Sequence, residues 1–151
     1  MSGLTTLYSW LMFFHLTGLG VFLFSHGITA GSALALRGPV QPGTRRLLRL
    51  SQMSNFASNP ALLVVIVTGV WMAFAAHWWG RGWLWAAIVI LVAVLGAMFW
   101  IARPYYMARD AATQGDELVA DRLSKTRPIA AFWIGGIGLL ILVFLMVVKP
   151  F

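Results

Sequence analysis

LTTLYSWLMFFHLTGLGVFLFSHGITAGSALAL, residues 4–36, contains no Asp, Glu, Lys or Arg. At ~1.5 Å of rise per residue a helix of this length exceeds the ~30 Å hydrocarbon core of a bilayer, so it spans with tilt or protrudes. Three more apolar runs follow, at about residues 60–79, 83–102 and 128–149. The chain of 151 residues is 60% hydrophobic and 10% charged. A soluble domain carries about 25% charged residues, so water cannot be the only solvent of this surface. Barrel strands would alternate polar and apolar side chains, and unbroken apolar runs rule that pattern out. Helices satisfy their own backbone in lipid. The expected fold is all-α: one integral membrane domain over residues 1–151, a four-helix up-down-up-down transmembrane bundle. Short connections favour antiparallel neighbours.

The boundaries follow from local chemistry. Arg37-Gly38-Pro39 ends the first run, and its lack of a basic leader and its length mark it as a span rather than a signal core. Residues 45–56 read either as a basic amphipathic segment at the interface or as an extension of the second helix into water. Ser58 or Asn59 can cap the second span, with Pro60 tolerated in its first turn. Gly80-Arg81-Gly82 makes a tight break, and Arg103-Pro104 is expected to stop the third span. The polar stretch 105–127 holds all four acidic residues and reads as a helical hairpin.

Orientation comes from the basic residues. Nine of the 11 lie in the connections 37–59 and 103–127 (Arg37, Arg45, Arg46, Arg49; Arg103, Arg109, Arg122, Lys125, Arg127), against Arg81 and Lys149 elsewhere. The positive-inside rule places those two loops in the cytoplasm and both termini outside, in a multi-pass cell-membrane protein of the bacterial inner-membrane type. The same placement accounts for the net charge of +7 without nucleic acid. Trp78, Trp79, Trp83 and Trp85, with Tyr8 and Trp10, read as an outer aromatic belt, and Trp100, Tyr105, Tyr106 and Trp133 as inner anchors. Gly27 and Gly31 form a small-xxx-small pair expected to face a neighbouring helix.

No cysteine is present, which excludes thiolate ligands and nucleophiles. No nucleophile–base set or phosphate loop appears. Chemistry therefore reduces to three histidines. His15 and His26 stand eleven residues apart, three turns plus ~20°, so they share a face with Gly18, Phe22, Ser25 and Thr29. Ionisable side chains within spans are rare and commonly functional. At ~16 Å of axial separation one iron or one metal ion cannot take both. His77, at the outer end of the second helix, could be a second ligand only with tilt. Met12, Met72 and Met146 with His15 and His77 offer a soft Cu(I) alternative, although methionine is also ordinary core filler. An inner polar group, His26 with Ser25, Thr29, Ser51, Gln52, Ser54, Asn55, Asn59 and Arg49, could hold an anionic head group or propionates, or could be capping and solvated turn.

FFHLTGLGVFLFSHG, residues 13–27, resembles the first helix of small bacterial four-helix membrane proteins of the copper-resistance-protein-D-like family. WWGRGWLW (78–85) and ARPYYMARD (102–110) are similar to an uncharacterised group near that family. A more distant likeness is to the HemJ-type haem-binding proteins, and it carries over only His15, as the haem b ligand. That family features a basic residue inside a late helix, and residues 128–148 contain none. The copper-type resemblance implies copper uptake or handling. The expectation is a redox-cofactor protein holding haem b, or copper, or no cofactor, with His15, His26 and His77 as candidate cofactor ligands and His15 and His26 as candidate metal ligands. The role that follows from haem is membrane electron transfer. The alternative is an accessory subunit packed in the bilayer against a larger membrane complex or in a homo-oligomer.

Overall fold

A computed structural model describes residues 2–151, with side chains from Thr6 onward. Among the described residues there are five α-helices and one 3-10 turn: α1 Ser2–Ala35, α2 Thr44–Ala75, the 3-10 turn Trp78–Gly80, α3 Gly82–Ala111, α4 Asp116–Ser124 and α5 Pro128–Val148. Four of them, α1, α2, α3 and α5, are long and apolar enough to cross a membrane.

Three expected boundaries move. α2 starts at Thr44 and runs through Pro60, so residues 45–56 extend the second helix. A proline inside a helix gives up the bond to the carbonyl four residues back. Here Ser58 and Ala61, on either side of Pro60, are both buried, so packing holds the helix in register across the lost bond. At its other end α2 stops at Ala75 rather than 79, and His77 turns the chain with a left-handed φ of 55°. α3 likewise continues through Pro104 to Ala111. Tyr105, Ala108 and Ala111 lie buried in one cluster, and that burial outweighs the stop signal at Arg103-Pro104. The polar stretch is thus the end of α3 plus the short α4, whose Asp116 and Glu117 sit in its first turn and Arg122 in its last, matching the helix dipole.

The spans pack in two pairs. α1 lies along α2 and α3 along α5, while contacts between the pairs are sparse. The α1–α2 seam has a coiled-coil spacing. Leu11, Gly18, Ser25, Thr29 and Ser32 are buried on α1 and Leu36 just past its end, and Thr44, Leu48, Ser51, Ser54, Ser58, Ala61, Thr68 and Met72 on α2. Gly18 fixes the closest approach: a Cβ there would stand 3.2 Å from Val64 and Val65 and 3.3 Å from the Ala61 carbonyl. In the α3–α5 pair Gly138 plays this part, with a Cβ meeting Val94 at 2.5 Å. Gly27 and Gly31 have open space around them and lie exposed. The expectation that they face a neighbour within the chain is corrected: the seam follows residues 18, 25 and 32, and positions 27 and 31 point away from it.

The two pairs are tied together at their ends. At the basic end Leu36, Leu48, Tyr105, Ala108, Ala111, Val119 and Leu123 form one buried cluster. At the aromatic end Ala73, Trp83, Leu84, Ala87 and Leu145 form another. Trp83 and Tyr105 are therefore core residues and not interface anchors. Trp78 packs edge-on to Tyr8 at 6.2 Å and to Trp83 at 5.3 Å, and Lys149 caps its face at 4.2 Å.

Candidate functional site

His15 projects from α1 into the α1–α2 seam and lies against Gly69, where a Cβ would come within 3.2 Å of its Cε1. A larger residue there would push the ring aside by a few tenths of an ångström. Beside it Thr68 supplies the polar partner. Its hydroxyl donates to the Val64 carbonyl at 2.6 Å and stands 3.0 Å from His15 Nδ1. In the tautomer with the proton on Nδ1, the hydroxyl accepts from His15 while donating to Val64, and Nε2 carries the free lone pair. The Val65 backbone carbonyl also lies within hydrogen-bonding reach of the ring, and no further side-chain partner is found for it among the described residues. A histidine whose distal nitrogen is fixed by a hydrogen bond and whose Nε2 lone pair is free has the arrangement of a metal-ligating imidazole.

The other histidines are placed differently. His26 is half-buried and stacked on Phe22, at 5.3 Å and 17° between ring planes, with no hydrogen bond among the described residues. His77 is exposed in the α2–α3 connection. His15 is level with Gly69, and α2 continues to Ala75 before His77. The two histidines thus differ by more than ~9 Å in depth. The structure brings none of the three together. Among the described residues no three His, Cys, Asp or Glu side chains are grouped closely enough to hold a metal ion. Of the methionines considered with copper, Met72 is buried in the seam, whereas Met12 and Met146 are exposed.

The inner polar group divides in two. Gln52, Asn59 and Arg49 are exposed. Ser25, Thr29, Ser51 and Ser54 are buried. The Thr29 hydroxyl lies 2.8 Å from that of Ser54 and 3.3 Å from Asn55 Oδ1, and Ser54 donates to the Ser51 carbonyl at 2.9 Å. The sequence reading missed what continues this network. Arg109, from α3, donates to the Ser51 carbonyl at 3.2 Å and to the Ser51 hydroxyl. Its guanidinium lies 5.0 Å from the Tyr105 ring centroid and 4.8 Å from that of Tyr106. Arg109 is only 9% exposed, and its Nε and the Tyr105 hydroxyl are buried without hydrogen-bond partners. Counted as a loop cation, it hid behind the proline. The available signal was the spacing of Tyr105, Ala108 and Ala111, which continues a helical face past Pro104.

No protein-family model, curated protein or solved structure matches the chain. The likenesses drawn from residues 13–27, 78–85 and 102–110 rest on those motifs alone.

Proposed function

We propose that this chain is a multi-pass membrane protein that holds haem b through Nε2 of His15 and serves in electron transfer within the membrane. In this reading the basic end faces the cytoplasm and both termini face outside, in an up-down-up-down arrangement, on the strength of the nine-to-two distribution of basic residues. The observation that carries the cofactor assignment is the Thr68 hydrogen bond, which in the Nδ1–H tautomer leaves the Nε2 lone pair of His15 free. The protein's part is to orient the imidazole, to raise its basicity through Thr68, and to keep it in an apolar layer. Bound haem would supply the one-electron couple. His15 is the one histidine at this depth, so His26 and His77 belong to the surroundings and not to the ligand set.

Protein purified from haem-replete cells tests this reading by its absorption spectrum and its iron content. The expected result is a Soret band with about one iron per chain. A colourless protein without iron or copper overturns the cofactor reading.

The accessory-subunit reading is favoured by one observation of its own. The chain exposes 9840 Å², whereas a compact monomer of 16.6 kDa exposes about 7,600 Å². Its mass in detergent, measured by light scattering, would exceed that of one chain if another subunit covers this surplus.

A further inference from the structure

Arg109 is a buried cation without a counter-ion. Of the four acidic residues, Asp116 pairs with Arg45 at 2.9 Å and Asp121 with Lys125 at 2.8 Å. Asp110 and Glu117 are exposed and make no ion pair among the described residues. Ser51 and two aromatic rings satisfy part of the guanidinium, and Nε remains a buried donor with nothing to donate to. The Tyr105 hydroxyl lies close enough to Ser51 and Arg109 to interact with both, but it is buried and neither contact has the geometry of a full hydrogen bond. Burying an unpaired charge, or a donor with nothing to donate to, costs stability. Two orphaned donors at one place, one of them cationic, define a demand for an oxyanion.

We propose that Arg109 and Tyr105 form a binding site for a phosphate group at the basic end of the bundle. The planar guanidinium suits phosphate because it donates two parallel bonds to neighbouring oxygens, and a phenol adds a third. Ser51 holds the guanidinium on the α2 side. Tyr106, which is partly exposed, also packs its ring against the guanidinium. The site lies where a bilayer places its phosphates, beyond the apolar run that ends near residue 102. A phospholipid head group and free phosphate present the same chemistry, and both are tested below. This inference is independent of His15: Arg109 faces Ser51, on the far side of the seam network from Thr68.

The full chain, purified and stripped of lipid in a neutral detergent, is followed by thermal unfolding. It is titrated with phosphatidylglycerol, with phosphatidylcholine and with inorganic phosphate, against chloride at matched ionic strength. Arg109→Lys and Tyr105→Phe test the site, and Arg46→Gln removes an exposed cation as control. The expected result is a saturable rise in Tm with one phosphate-bearing ligand. Its midpoint should shift at least tenfold in Arg109→Lys, less in Tyr105→Phe, and not in Arg46→Gln. A response to phosphatidylglycerol alone identifies a lipid site, and an equal response to inorganic phosphate identifies a free-anion site. Absence of a saturable response, or one that Arg46→Gln weakens as much as Tyr105→Phe does, overturns the proposal. Tyr105→Phe keeps the ring and the cation, so it decides the matter if Arg109→Lys fails to fold.

Discussion

The two helix pairs solve the same packing problem with different chemistry. In the α1–α2 seam the buried positions are largely hydroxyl-bearing (Ser25, Thr29, Ser32, Ser51, Ser54, Ser58 and Thr68), and the half-buried His15 lies against one of them. In the α3–α5 pair the closest contact is Gly138 on Val94, and Ala87 and Leu145 are buried near the aromatic end. Lipid gives helices no hydrophobic reason to associate, so close packing and interhelical hydrogen bonds must do it. The α3–α5 pair relies on close packing. The α1–α2 pair adds hydrogen bonds, which fix register and orient polar groups. That second pair is where a ligand histidine can be held in one tautomer.

The sharpest way to break the comparison is at Gly138. Even a Cβ there meets Val94 at 2.5 Å, so Gly138→Val should cost about 3 kcal/mol through overpacking. Thermal unfolding in detergent measures it. A Tm equal to that of the parent chain would mean that α3 and α5 are not in close contact.

Gly18 tests the other seam. Its neighbours at 3.2 Å are side chains that can shift a little, so Gly18→Leu should cost ~2 kcal/mol. Gly27→Leu and Gly31→Leu should each stay within about 0.5 kcal/mol, because their surroundings are open. If Gly27→Leu destabilises more than Gly18→Leu, the exposed row on α1 is an interface with another subunit. The accessory reading then gains weight over the monomeric one.

Thr68→Val probes function with a smaller effect on stability. It removes the hydroxyl that fixes Nδ1–H of His15 while preserving shape. Haem affinity should fall ~10- to 100-fold, the usual cost of losing such a hydrogen bond on a ligating imidazole. An unchanged affinity in a haem-loaded protein would show that Thr68 serves packing only.

These tests bear on how much could be read from sequence. The four spans were legible because long apolar runs without charge have few other uses. The ends were not. Pro60 and Pro104 look like boundaries, yet Ser58 and Ala61 on one helix, and Tyr105 and Ala108 on the other, bury enough surface to carry each helix through its proline. His15 was legible as a polar residue inside a span. Its partner Thr68 was not, because pairing depends on the α1–α2 register, and a one-turn slip would have placed another residue there. The face shared by His15 and His26 was an ideal-helix expectation. The observed seam follows a seven-residue spacing, under which Ser25 takes the inward position and His26 falls beside it. Arg109 was hidden by its company, since the other eight cations in the two basic connections are exposed or half-exposed.

His15 is the residue on which haem binding depends in the proposed function. Haem titration of the purified chain, read by the Soret band, should be carried out on the parent and on His15→Ala, His26→Ala and His77→Ala. The prediction is that His15→Ala alone abolishes or grossly weakens binding, while the other two bind as the parent does. A titration that survives His15→Ala unchanged, or that fails equally with His26→Ala, would contradict it.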